Sequence, residues 1–312
     1  MKKLLLAVAV SVAAGSASAA TIYEGNGLTY KINGDLQIQL RQKIGDDKEA
    51  DVEFDDLEIK NYVSYDLGDD MKAFGRVDFG FKDAANNSVD VEGEEDVALE
   101  EAYVGLAFGN TSVSFGKMNL ASDEFGIEEA IELGQKEDRF DASETAGDDT
   151  IRLDIELENA YIAASYEMEA EGAGSENGEY FDLFASTEFA NLTLAAAYQN
   201  ATPIIGADDY DVWGVSASYD AGFATFAADY SDREDHSDQY NIAAVFKAAK
   251  TTKIGIGMTN VESEVGADVT EWYANVTYKF PNQKNVSLFA EIADNDAANT
   301  DMGYLAGMRV KF

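Results

Sequence analysis

From residue 28 to residue 312, apolar and polar residues alternate with a period of two, which restricts most of the chain to extended strands. The pattern is clearest at the end, where residues 302–312 read M-G-Y-L-A-G-M-R-V-K-F. Tyr304, Ala306, Met308, Val310 and Phe312 fall on one face, and Leu305, Gly307, Arg309 and Lys311 on the other. Near the start, Leu28, Tyr30, Ile32, Gly34, Leu36, Ile38 and Leu40 alternate with Thr29, Lys31, Asn33, Asp35, Gln37, Gln39 and Arg41. A last strand needs a partner. If these two ends pair, the sheet closes with no free edge.

After the first of these strands the same rhythm returns about fifteen more times, the last strand included. Leu57, Ile59, Val63, Tyr65 and Leu67 form one apolar stripe, and Met71, Ala73, Val77, Phe79 and Phe81 the next. Leu99, Tyr103, Gly105 and Ala107 are expected to follow as a third, with the phase ambiguous at Asn61 and Glu101. Short Gly-, Asn-, Asp- and Pro-bearing links alternate with long polar ones. The long links are expected at 42–55, 83–96, 119–149, 169–179, 200–209, 231–238, 260–268 and 294–300. Short turns on one rim and long loops on the other are the asymmetry of an outer-membrane barrel. The alternative is a soluble all-β sandwich or periplasmic barrel. Sixteen strands in one ring argue against it, because so wide a lumen fills with water and leaves the apolar face outside.

The start of the chain points to export. Met1-Lys2-Lys3, a short apolar run and Ala17-Ser18-Ala19 have the form of a signal peptide over residues 1–19. Residues 20–312 are then expected to form a single barrel domain. No later apolar run approaches the roughly 20 residues of a membrane helix, so a membrane form has to be a closed barrel. The absence of cysteine excludes a disulfide framework and thiolate metal sites. The net charge of −38 argues against nucleic acid as a partner and should attract cations, although acids of this number also keep a surface hydrated.

Signals for catalysis are nearly absent, and no cofactor is expected. The lone histidine, His236, lies in the acidic stretch S-D-R-E-D-H-S-D, where Ser, His and Asp meet by composition. A triad would need fixed orientation and shelter. The run Glu92-Gly93-Glu94-Glu95-Asp96 could hold a divalent cation weakly, but it lacks the ordered spacing of a calcium loop. The most informative segment is residues 119–149, with eleven acids against Lys136 and Arg139. Loops this long in compact domains are usually functional. Leu120, Phe125, Ile127, Ile131 and Leu133 give it apolar anchors, and the lumen is its natural shelter. An external flap is the other possibility.

Specific motifs then suggest a family. Leu99-Glu100-Glu101-Ala102-Tyr103-Val104-Gly105-Leu106 followed by residues 109–117, G-N-T-S-V-S-F-G-K, resembles the strand–turn–strand before the constriction loop of Gram-negative general diffusion porins. Residues 66–73, residues 149–153, Ile22-Tyr23 and the terminal Phe312 are similar to family segments as well. The resemblance implies a sixteen-stranded antiparallel transmembrane β-barrel, trimeric, with its third long loop folded into the lumen. It also implies that a terminal aromatic serves as an assembly signal, and that outer-membrane lipid and lipopolysaccharide surround the barrel.

The family sets loop carboxylates against a basic wall. Here the negative side is expected from Asp123, Glu124, Glu128 and Glu129. The wall is expected from Lys31, Asp35, Arg41, Lys60, Arg76, Glu100 and Arg152, with acids at Asp35 and Glu100 where many family members place bases. Asp123-Glu124-Phe125-Gly126 resembles the family's loop motif without its proline. The expected function is passive diffusion of ions and small hydrophilic solutes with a cation preference. Two alternatives stay open: a solute-specific channel, hinted at by Phe74 and Phe184, and a plugged structural or adhesive barrel.

Overall fold

The computed structural model describes residues 20–86, 97–127, 129–134, 137–169, 178–203, 208–297 and 300–312. The expected signal segment, the acidic run at 92–96 and Glu128 lie outside the described residues. Strands β1 (Ala20–Gly25), β2 (Leu28–Gln42), β3 (Asp51–Gly68) and β4 (Met71–Gly80) come first. They are followed by β5 (Ala98–Phe108), β6 (Thr111–Asn119), β7 (Ala146–Glu156) and β8 (Ala160–Glu167). Next are β9 (Glu179–Phe189), β10 (Leu192–Thr202), β11 (Tyr210–Asp220) and β12 (Ala224–Arg233). The set ends with β13 (Ser237–Ala249), β14 (Thr252–Ser263), β15 (Val269–Phe280), β16 (Gln283–Asn295) and β17 (Gly303–Lys311).

Consecutive strands pair antiparallel, and β17 returns to β2 with Tyr304 opposite Gln42 and Lys311 opposite Asp35. The expected pairing of the last strand with the first long one is therefore present, and the sheet is closed. Among the described residues, seventeen strand segments make sixteen staves, because β1 and β17 lie end to end along one edge of β2. β17 occupies the edge at Asp35 to Gln42, and β1 the edge at Leu28 to Ile32. The β1–β2 hairpin turns through Asn26 and Gly27 at φ 53° and 78°, the left-handed pair that a two-residue hairpin needs.

The two faces separate cleanly on β2. Leu36, Ile38 and Leu40 are 42, 42 and 43% exposed, while the intervening Gln37 and Gln39 are 1 and 2% exposed. The apolar stripe faces outward and the polar residues face in. The same holds on β17, where Tyr304 and Met308 are exposed and Leu305 is buried. Asn61 belongs to the outward stripe of β3. Its amide is satisfied there, accepting from Tyr30 Oη at 2.8 Å and donating to the Val77 carbonyl at 3.2 Å.

Two expectations need correction. On β5 the outward residues are Val104, Leu106 and Phe108, whereas Tyr103 and Gly105 turn inward with Ala107. A bulge is the cause: Asp78 faces Glu101 and Phe79 faces Leu99, so Glu100 is extra and the phase changes after it. The second is the long polar loop expected at 231–238. β12 and β13 instead continue to Arg233 and from Ser237, joined by a tight turn in which His236 N donates to the Arg233 carbonyl at 3.1 Å. Strand ends beyond the apolar band are polar on both faces, so hydropathy alone reads them as loop.

Candidate permeation site

The described residues between β6 and β7 are bonded to side chains from several staves. The segment opens with Leu120 and Ala121, both fully buried, and a 3-10 turn at Ala121–Glu124. Ala121 N donates to Ser165 Oγ on β8 at 2.7 Å. Phe125 and Phe140 then meet at 5.1 Å between ring centroids, in a cluster with Tyr161, Ala163, Phe184, Ala197 and Val212 from β8 to β11. A second apolar anchor lies at Leu133, against Tyr273, Phe289, Ala293 and Leu305 of β15, β16 and β17. Phe140, with no exposed surface, has no counterpart among the anchors expected from sequence.

Polar bonds hold the stretch between these anchors. Ile131 N donates to Glu291 Oε2 at 2.6 Å, and Glu132 N and Leu133 N donate to Glu291 Oε1 at 3.0 and 2.9 Å. Glu129 N donates to Tyr273 Oη at 2.8 Å, and its carbonyl accepts from Asn275 Nδ2 at 2.6 Å. Arg139 N donates to Ser231 Oγ at 3.1 Å, and its guanidinium donates to Ser237 Oγ at 3.0 Å and to Gln239. Ser143 Oγ donates to Gln199 Oε1 at 2.5 Å. Glu291 and Tyr273 were not legible as site residues. Each is one inward polar group among many, and its partner lies more than a hundred positions away.

The basic wall is present, but each arginine on it is held by acids. Arg41 Nε lies 2.5 Å from Glu53 and its Nη1 3.5 Å from Glu132. Arg76 Nη2 lies 2.5 Å from Asp78 and 2.7 Å from Glu101. Arg152 reaches Glu124 at 2.6 Å and Asp154 at 3.0 Å, and donates to the Asn119 and Leu120 carbonyls at 3.0 and 3.1 Å. Arg309 reaches Asp35 at 3.4 Å and also Asp56. Four arginines thus meet eight carboxylates.

The other expected residues distribute as follows. Lys60 pairs with Glu58, and Lys311 with Asp35 at 3.1 Å. Lys31 shares the inward face of β2 and has no ion-pair partner among the described residues. Glu100 sits beside Glu58, with Lys60, the partner of Glu58, within electrostatic reach. Asp123 accepts from Asn119 Nδ2 at 2.5 Å, and Glu124 is committed to Arg152. Glu129 lines a cavity of about 330 Å³ together with Glu124. Phe74 and Phe184 are both buried but belong to separate clusters, so they form no continuous aromatic track. His236 is exposed in its turn, and the adjacent Ser237 accepts from Arg139, so the two do not form a nucleophile–base pair.

Enclosure raises the pKa of four loop carboxyls: burial pushes Asp123 and Glu129 above the ordinary carboxylate value, with Asn119 and Lys253 respectively opposing it, and two others move further. Burial, reinforced by the neighbouring Asp55, raises Glu132 to about 8, with Arg41 pulling the other way. Burial likewise raises Asp138 to about 7 against the stabilising bonds from Phe140 N and Asp141 N.

The closed antiparallel barrel agrees with comparison to known proteins. A family model described as Gram-negative porin matches residues 6–300. The chain belongs to the Gram-negative porin family. Porin-like protein H of Photobacterium profundum is 25% identical over 343 residues, covering the whole of both chains. Among solved structures, a loop L8 deletion mutant of OmpT, an outer membrane protein of Vibrio cholerae, superposes with a TM-score of 0.75 at 21% identity. It covers 92% of this porin and 100% of that chain. The anion-selective porin from Comamonas acidovorans gives a TM-score of 0.72 at 12% identity, covering 91% of this porin and 100% of that chain. At such identities the structural likeness speaks for the fold alone. The family and the barrel together make this an outer-membrane porin of the general diffusion kind, a channel rather than an enzyme.

Proposed function

We propose that this porin is a cation-preferring diffusion channel in which residues 120–145 cross the lumen and narrow it. The pairing of each wall arginine with two carboxylates carries this reading. Around Arg76 and Arg152 the paired carboxylates outnumber the guanidinium, around Arg41 they do so once Glu132 ionises, and rings of carboxylate favour cations. The likeness to an anion-selective porin leaves the sign to these side chains, because the barrel alone does not set it. The contacts of Glu129, Ile131 and Leu133 with β15 and β16 support a segment that leaves the β6–β7 wall and reaches the far one.

A planar bilayer under a KCl gradient tests the reading directly. The reversal potential should carry the cation sign, and joint neutralisation of Glu124, Glu128 and Glu129 should reduce it. A potential of anion sign sinks the proposal.

The same reading includes export by removal of residues 1–19 and assembly as a homotrimer. OmpT of Vibrio cholerae has been solved in a trimer form. Cross-linking of the purified porin should stop at three chains, and a monomer alone would remove that part.

A further inference from the structure

The cavity bordered by Glu124 and Glu129 differs from the rest of the lumen in its chemistry. Its barrel wall carries five hydroxyls, Ser186, Thr193, Ser216, Ser218 and Thr225, spread over β9 to β12. Small residues such as Ala195 and Ala227 leave the space open, and the rings of Tyr161 and Phe184 are part of its lining. Among the described residues, no basic side chain lines it. This is the reverse of the Arg41, Arg76 and Arg152 clusters, where every carboxylate shares a guanidinium.

The two carboxylates at its border are not equivalent. Glu124 is bound to Arg152 at 2.6 Å. The Glu129 side chain is exposed to the space and has no ion-pair partner among the described residues; Lys253 acts on it only at longer range. Its backbone is fixed at both ends, through N–H to Tyr273 and C=O from Asn275, so the carboxylate is presented from a held position.

We propose that this cavity is a subsite for small polyhydroxylated amines, with Glu129 meeting the ammonium and the β9–β12 hydroxyls meeting the polyol. A volume of about 330 Å³ suits one monosaccharide-sized solute. Hydroxyl side chains both donate and accept, so a row of them matches a polyol without demanding one stereoisomer. An anionic solute finds no base there, and a neutral polyol gains nothing from the Glu129 charge.

The inference rests on the reading of the lumen as an open, cation-preferring channel. N-methylglucamine, protonated at neutral pH, is the probe, with sorbitol as its uncharged counterpart, each added to a single channel carrying KCl. N-methylglucamine should reduce the current saturably, and sorbitol should not at equal concentration. Glu129→Gln should raise the half-blocking concentration roughly fivefold, the worth of one water-accessible ion pair. Ala227→Phe, which fills the cavity, should abolish saturable block in channels that still conduct KCl. Equal block by sorbitol, block that never saturates, or a half-blocking concentration unmoved by Glu129→Gln overturns the subsite. A KCl reversal potential of anion sign instead overturns the channel reading beneath it, so the two failures are told apart.

Discussion

Gly34 and Phe312 exchange both backbone hydrogen bonds, at 2.9 and 3.0 Å, and the phenyl ring covers the place where a Gly34 side chain would project. The last residue thus closes the barrel twice, through its backbone and through its ring over a bare glycine, a known way of rescuing glycine in a strand. Gly34→Val would overlap both the ring and the Glu58 carbonyl, at a cost of about 1–3 kcal/mol for overpacking. The temperature at which the barrel loses its compact migration on a denaturing gel should fall. Phe312→Ala should lower it as well by uncovering the same spot, and an unchanged transition in both would deny the contact any role in closure.

One carboxylate gathers three backbone donors of the β6–β7 segment. Glu291→Ala strips the partner from three backbone N–H groups of Ile131, Glu132 and Leu133. Hydrogen bonds to a charged acceptor contribute about 1.5–3 kcal/mol each when a partner is removed, so the segment should detach before the barrel unfolds. Single-channel conductance should rise, and limited proteolysis should cut near residues 129–134. Wild-type conductance together with wild-type resistance would show that Leu133 packing suffices.

Arg152 is more than a wall charge. It is 7% exposed and joins Glu124, Asp154, Tyr161 and two backbone carbonyls. Replacing it with methionine leaves the buried Asp154 without its counter-charge, at about 3–5 kcal/mol. Glu124→Gln, which keeps a hydrogen-bonding group at the rim, should cost much less. A calorimetric ranking in the opposite order would show that the cluster is not held together by its cation.

Glu132 gives the channel a pH response. With its carboxyl raised to about 8, it is largely neutral at pH 7 and gains charge as pH rises further. Cation selectivity should therefore increase through about pH 8, and Glu132→Gln should flatten that rise in reversal-potential titrations. The stability relation has the opposite slope. Between the ordinary glutamate value and about 8 the folded chain keeps a proton that the unfolded chain has lost, so this group's contribution is full at low pH and is lost as pH rises through about 8. A selectivity independent of pH in this window would remove Glu132 from the conduction path.

The architecture was legible wherever lipid enforces alternation. Leu36, Ile38 and Leu40 against Gln37 and Gln39 announce both the strand and its faces, and the pairing of β17 with β2 follows from the need to remove edges. Glu100 shows why phase was lost on β5: a bulge adds one residue without changing composition, so it reads as a polar interruption. The β12–β13 extension to Arg233 and Ser237 was hidden because those residues stand beyond the apolar band. The basic wall could be named from its residue types. Its pairing could not, since the chain has 60 acids and nothing local marks Glu53, Asp56 or Glu101 as the ones that meet Arg41, Arg309 and Arg76.

The end-to-end placement of β1 and β17 has a topological consequence. Pairing with β2 stops where Phe312 faces Gly34 and resumes where Ala20 faces Ile32, so among the described residues of that edge only Asn33 lacks a neighbour. Residues 20–312 are in effect a ring of backbone interrupted at that one position. A circular permutant that joins Phe312 to Ala20 through one residue, and opens instead at the Pro281-Asn282 turn, should build the same wall from a chain that starts elsewhere.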